Sequence, residues 1–240
     1  MNQDPIFLII MGMHRSGTSC LTGSLQQCGV QLGKVVEWAP HNLKGNRENI
    51  DVMALNNSVL SFSGGSWDKP PVRIKWSKTH EAERDRIIES LKSHLNNIYG
   101  FKDPRAIFTL PFWKDGVDNI KLVASFRHPL LVAKSLNARN KMPLREGLKL
   151  WKAYNVKLYP YVQKDKFPLI SFDVEKHEYI SAFRRISIYF GLPKTAKNNE
   201  SFFDHTLKHQ KLAELRDELP SDIGKLYDDL SQIYINQKTL

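Results

Sequence analysis

Residues 12–19 read Gly12-Met13-His14-Arg15-Ser16-Gly17-Thr18-Ser19. The two glycines let the backbone turn its N–H groups inward, and a helix opening at Thr18 adds the positive end of its dipole at the same point. That arrangement holds a phosphate or a similar oxyanion, with Arg15, Ser16, Gly17, Thr18 and Ser19 as the candidate contacts. One position departs from the nucleoside triphosphatase pattern. The residue after the second glycine is Thr18 rather than lysine, and the cation comes earlier, at Arg15. A magnesium-dependent phosphotransferase also needs an acidic residue at a strand end to hold its metal. The apolar run 121–126 ends instead in Arg127. Cations rather than a metal are therefore expected to neutralise the substrate. That suits sulfuryl transfer, because a sulfate ester carries one charge fewer than a phosphate monoester and arginine and lysine can stabilise it.

The elements around these residues can be read from their patterns. The continuous apolar run 6–11 predicts a strand buried on both faces, and a helix is expected over 18–28. Further strands are expected over 98–102 and 121–126, each ending in a charged, proline-containing turn: Lys102-Asp103-Pro104-Arg105 and Arg127-His128-Pro129. Polar residues gathered at strand ends mark the carboxyl edge of a parallel sheet, where ligands bind. Helices are expected over 50–61 and 79–98, the latter amphipathic through Ile87, Ile88, Leu91 and Leu95. Helices over 130–139 and 144–163, a strand over 167–172 and helices over 179–190 and 222–235 complete the reading. The expected architecture is α/β, with a central parallel sheet flanked by helices in three layers.

A chain of 240 residues with 41% hydrophobic content supports one sizeable core, so a single domain spanning 1–240 is expected. The net charge of +10 suits a polyanionic partner, but the basic residues are spread along the chain with no basic tail or basic-aromatic repeat. No nucleic-acid partner is expected. The apolar run 6–11 is cut off by His14 and Arg15 well short of a signal peptide or membrane span. Cys20 and Cys28 fall on one predicted helix, separated by about 12 Å of rise, too far for a disulfide. Packed thiols and no targeting segment predict a cytoplasmic protein. His205 and His209 have helix-facing spacing but no third ligand, and no metal site is expected.

The loop 12–19 is similar to the 5′-phosphosulfate loop of sulfotransferases that use 3′-phosphoadenosine 5′-phosphosulfate (PAPS). Arg127 with Ser135, eight positions on, resembles their 3′-phosphate site. The pairing makes physical sense, since guanidinium binds phosphate bidentately and serine donates a neutral hydrogen bond. Asn42-Leu43-Lys44-Gly45-Asn46-Arg47-Glu48, Gly64-Gly65-Ser66-Trp67, Lys102-Asp103-Pro104-Arg105 and Phe172-Asp173 resemble stretches of bacterial and tyrosylprotein-type members. The likeness covers about 6–192, and 193–240 reads as a helical extension without a motif.

The resemblance implies a P-loop-type fold, PAPS as donor with adenosine 3′,5′-bisphosphate as product, no metal, and a hydroxyl-bearing acceptor. It also implies roles: Glu48 as general base, with Arg15 and Lys102 supporting the transferring group. His14, His41 and His80 are rival bases. Asn46 stands where similar bacterial sequences often have an aromatic residue, so the acceptor stays open among carbohydrate, small molecule, lipid headgroup and peptide, as does the oligomeric state. Trp67 offers a ring to an acceptor or to the donor, or serves packing alone. Two other classes remain: a P-loop nucleotide or small-molecule kinase, and a catalytically silent nucleotide-binding module.

Overall fold

The computed structural model describes residues 5–38, 45–92, 97–193 and 219–238. Four strands, β1 (Ile6–Met11), β2 (Ile98–Lys102), β3 (Ile120–Phe126) and β4 (Leu169–Ser171), form one all-parallel sheet in the order β2-β1-β3-β4. In β1, Phe7 to Met11 are completely buried, as an unbroken apolar run demands of a central strand covered on both faces. The chain leaves β1 for β2 on one side and later returns to its other side as β3, so the order reverses beside β1. That is where open parallel sheets bind ligands. Register brings the carboxyl ends level: Ile10 pairs with Lys102, Met11 with Ala124 and Phe126 with Ser171.

The described helices are α1 (Thr18–Gln27), α2 (Ile50–Phe62), α3 (Lys78–Lys92), α4 (Ala106–Gly116), α5 (Pro129–Asn140), α6 (Leu144–Asp165), α7 (Lys176–Tyr189) and α8 (Ser221–Asn236). Helix α1 lies against β1, β2 and β3, while α3 and α4 meet β2 and β1, and α7 and α8 meet β4. This is the expected α/β arrangement of a parallel sheet flanked by helices.

Several expected bounds shift. The helix expected over 79–98 is described over Lys78–Lys92, and Ile98 begins β2 instead. Ile87, Ile88 and Leu91 bury as the amphipathic pattern predicts, whereas Leu95 lies outside the described residues. The strand expected over 167–172 shortens to Leu169–Ser171, which pair with Ala124–Phe126 at the end of β3, while Pro168 and Phe172 each add one backbone hydrogen bond at the margins. Helix α4 was not anticipated. Its stretch from Ala106 to Leu110, with Phe112 and Trp113, is buried all round, so no polar stripe marks a helical period, and Pro111 lies within it.

Candidate functional site

The expected loop bends between β1 and α1 through left-handed backbone at Arg15 (φ 68°) and Gly17 (φ 81°). Gly17 is required on a second count: an added Cβ would sit 2.2 Å from the Phe172 ring. From β3, the Ser125 hydroxyl donates to the Ser16 carbonyl at 2.5 Å and ties the loop to the neighbouring strand. Among the described residues no side chain caps α1 at its N-terminus, which leaves the Thr18 and Ser19 N–H groups on the loop side while Cys20 N–H donates to the Gly17 carbonyl at 3.0 Å. The Ser16 hydroxyl is buried without a partner among the described residues. An orphaned hydroxyl under uncapped N–H groups fits the oxyanion that the sequence predicts there. The other two hydroxyl residues are committed differently: Thr18 is buried, and Ser19 Oγ donates to the Asn46 carbonyl at 3.1 Å.

Arg15 Nε donates to Ser135 Oγ at 2.8 Å, joining two candidate donor contacts 120 positions apart. Burial and the neighbouring charges of Arg139 and Arg127 draw the Arg15 pKa down to about 10. Arg127 leaves β3 and forms a buried ion pair with Asp173, Nε to Oδ1 3.1 Å, while Asp173 Oδ2 accepts from the His128 backbone N–H at 2.6 Å. Its guanidinium lies 5.4 Å from the centroid of the Phe172 ring. Arg127, Ser135 and Arg15 thus converge at the carboxyl edge of β1 and β3, where the loop lies.

On the β2 side, Lys102 Nζ contacts Glu48 Oε1 at 2.8 Å and the Asn46 carbonyl at 2.9 Å, with both ion-pair side chains buried. Glu48 is placed by a short antiparallel pairing, since Val36 N–H donates to the Glu48 carbonyl at 3.0 Å and Val35 bridges Asn49. Asn49 then caps α2, its Oδ1 accepting from Asp51 N at 3.0 Å and Val52 N at 3.2 Å. Burial pushes the Glu48 carboxyl up, but Lys102 by charge and hydrogen bond, then Arg105 and Arg139, outweigh it and hold the carboxyl below its ordinary value.

The turn after β2 is pinned by Asp103. Its Oδ1 accepts from Arg105 Nη1 at 2.7 Å and from Arg105 N at 2.9 Å, and its Oδ2 accepts from Asn56 Nδ2 at 3.0 Å. Asn56 Oδ1 accepts in turn from Thr109 Oγ1 at 2.8 Å and Trp113 Nε1 at 2.9 Å. This buried network fixes the Lys102 turn to α2 and α4, with Arg105 Nε left without a partner among the described residues.

Of the rival bases, His14 packs edge-on against Trp67 at 4.9 Å and Tyr154 at 5.8 Å, with Nε2 buried and unpartnered among the described residues. Burial first, then Arg105, Lys102, Arg139 and Arg15, hold its pKa well below the ordinary value. His80 serves the start of α3, where its Nδ1 accepts from Ser77 N at 3.1 Å. His41, His205 and His209 lie outside the described residues.

Sequence reasoning missed Asn56, Tyr154 and Arg139. The last was detectable, because it follows Ser135 by four positions and so shares its face of a helix. Asn56 and Tyr154 carry no local signal, since their partners come from remote parts of the chain.

The architecture matches a sulfotransferase domain from the curacin biosynthetic pathway with a TM-score of 0.58, at 13% identity, covering 96% of this chain and 99% of that one. It also matches the sulfotransferase domain of the Synechococcus PCC 7002 olefin synthase with a TM-score of 0.56, at 13% identity and 96% coverage of both chains. No protein-family model matches the chain, and no curated protein is similar to it. The chain has the α/β fold of the sulfotransferases. Which chemistry it performs rests on its own side chains.

Proposed function

We propose that the chain is a single sulfotransferase domain that moves the sulfuryl group of PAPS to a hydroxyl acceptor. The observation that carries this reading is the meeting of Arg15, Arg127 and Ser135 at the carboxyl edge of the sheet. Arg15 Nε donates to Ser135 Oγ at 2.8 Å and Arg127 Nη1 to the Arg15 carbonyl at 3.4 Å. Burial first, then the charges of Arg139 and Arg127, draw the Arg15 pKa down to about 10, and a buried Ser16 hydroxyl without a partner among the described residues lies in the same loop. Cations held together against their mutual repulsion are stabilised by an anion of high charge. A donor with phosphate at both ends of its ribose supplies that charge. The loop 12–19 and Arg15 would take the 5′-phosphosulfate, and Arg127 with Ser135 the 3′-phosphate.

Glu48 is the base in this reading. It accepts the acceptor's hydroxyl proton as the acceptor oxygen forms its bond to sulfur, while the bond from sulfur to the 5′-phosphate oxygen breaks and the electron pair leaves with the phosphate. Lys102, 2.8 Å from Glu48, and Arg15 stand where the charge on the transferring and leaving groups can be neutralised. Among the described residues no helix is long and apolar enough to cross a membrane. The thiols Cys20 and Cys28 are consistent with work in the cytoplasm. No nucleic acid enters the proposal, because the basic residues are spread along the sequence with no basic tail or basic-aromatic repeat.

The test is calorimetric titration with adenosine 3′,5′-bisphosphate in the presence of a chelator, followed by transfer of radiolabelled sulfuryl from PAPS to a panel of hydroxyl compounds. Binding without metal and label transferred to a hydroxyl support the reading. A magnesium requirement with ATP preferred points to a kinase, and tight binding without transfer to any hydroxyl leaves a silent nucleotide-binding module.

A further inference from the structure

Five cations meet at the carboxyl edge of the sheet, and they differ in what balances them. Lys102 pairs with Glu48 at 2.8 Å, Arg105 with Asp103 at 2.7 Å and Arg127 with Asp173 at 3.1 Å. Arg15 is bonded to the Ser135 hydroxyl and belongs to the loop. Arg139, one turn beyond Ser135 on α5, makes no hydrogen bond and has no carboxylate within 4.0 Å among the described residues. Its guanidinium lies instead over the Trp67 ring, 5.4 Å from the centroid. The Trp67 ring also meets His14 edge-on at 4.9 Å, and the Trp67 carbonyl accepts from the Tyr154 hydroxyl at 2.8 Å, so the platform beneath Arg139 is fixed from two elements.

A guanidinium held over an aromatic ring keeps N–H donors for a ligand, and their fork matches the two oxygens of a carboxylate. Arg139 is half buried, and the charges of Glu48 and Arg105 act on it directly. Its seat over Trp67, with Glu48 among the charges that act on it, puts it toward Glu48 as well as toward the loop. A partly dry cation without a carboxylate partner is costly unless its counter-charge arrives with the substrate. In the donor reading, the phosphates of PAPS already have Arg15, Arg127 and the loop N–H groups.

We infer that the acceptor carries its own oxyanion group, a carboxylate in the simplest case, near the hydroxyl that is sulfated, and that Arg139 seated on Trp67 holds it. This rests on the sulfotransferase reading above and adds the charge class of the acceptor. A small hydroxy acid or an acidic sugar fits; a neutral alcohol leaves Arg139 without its counter-charge.

The experiment compares matched acceptors: mandelate against methyl mandelate, and the methyl glycoside of glucuronic acid against methyl glucoside. With PAPS and the full chain, each acid is expected to exceed its neutral partner by about tenfold or more in kcat/KM. Arg139→Met keeps an unbranched chain over Trp67 without charge. It should remove that preference while affinity for adenosine 3′,5′-bisphosphate stays within about twofold. Arg139→Lys should keep part of the preference, because the charge remains but the fork is lost.

For a pair that is not turned over, the rise in melting temperature of the wild-type bisphosphate complex on adding the acid or its neutral partner reads the same preference. Neutral partners equal to or better than the acids in wild type overturn the inference, as does an equal loss of bisphosphate affinity in Arg139→Met, which would make Arg139 a donor contact. Failure of wild type to bind the bisphosphate sinks the sulfotransferase reading itself, and is distinguishable because no acceptor enters that measurement.

Discussion

At the scale of single residues, the donor reading makes its sharpest demand on Arg127 and Ser135. A charge-assisted hydrogen bond contributes about 1.5–3 kcal/mol, so Arg127→Ala should weaken adenosine 3′,5′-bisphosphate at least about tenfold, and Ser135→Ala somewhat less. AMP, which lacks the 3′-phosphate, should bind almost unchanged in both, and titration of the two ligands against each variant checks this. Because Arg127 also pairs with buried Asp173, Arg127→Lys is the companion variant: it retains charge for Asp173 but loses the bidentate fork. Glu48→Gln should lower kcat by about 10²- to 10⁴-fold and leave bisphosphate affinity nearly intact. Since Lys102, Arg105 and Arg139 hold the Glu48 carboxyl low, the base stays ionised as the pH falls through the ordinary carboxylate range. The acid limb of the kcat profile should therefore lie below that range. By the same linkage the Glu48–Lys102 pair contributes stability above the unfolded carboxylate value, and that contribution is lost as the pH falls through the lowered folded value. A limb near the ordinary histidine value would remove Glu48 from the role of base.

At the scale of elements, the site depends on two fastenings outside the reacting groups. The first holds the loop 12–19 between β1 and α1. Gly17→Ala would place a Cβ 2.2 Å from the Phe172 ring in left-handed backbone, so either the loop or the turn after β4 must move. Bisphosphate affinity should fall by more than about tenfold, with circular dichroism close to wild type, as expected for a local displacement at the binding edge. The second is the network from Asn56 to Asp103, Thr109 and Trp113, which joins α2 and α4 to the turn that carries Lys102. Asn56→Ala strips three buried groups of a partner at once. At about 1 kcal/mol or more for each, the denaturation midpoint should drop by the equivalent of about 3 kcal/mol. A loss below about 1 kcal/mol would mean that the network does not carry the attachment.

At the scale of the whole molecule, ligand binding and folding are linked through the convergence of cations at one edge of the sheet. In the donor reading adenosine 3′,5′-bisphosphate binds the folded arrangement only, so it should raise the melting temperature without added metal. At one hundred times its dissociation constant the stabilisation is about 2.7 kcal/mol. ATP and AMP at equal concentration should shift it weakly. Differential scanning fluorimetry with a chelator present reads this directly, and equal shifts from all three nucleotides would count against a 3′-phosphate site. Salt provides a second check. The cations lie inward and partly buried, so moderate ionic strength should weaken bisphosphate binding less than it weakens association with a surface polyanion.

Much of the frame was legible in the sequence because its signals are local. The unbroken apolar run of β1, the glycines that follow it and the apolar run ending at Arg127 each report on a few neighbouring residues. Together they imply a parallel sheet with an oxyanion loop at its carboxyl edge. Helix α4 escaped because burial on every face erases the period that betrays a helix. The short β4 was overestimated because the extent of a strand depends on how much neighbour it finds. The site was legible as a set of residue types but not as an arrangement. Glu48 meets Lys102 from 54 positions away, and Arg15 meets Ser135 from 120. Arg139 reaches Trp67 only when α5 and the segment after α2 come together. The sequence by itself determined which chemistry the strand ends can carry, because spacing and residue type act over a turn or two of chain. Which cations are balanced by carboxylates, and which one lies over the Trp67 ring instead, was decided by the tertiary structure. Charges interact through space, and only strand register and helix docking set those distances.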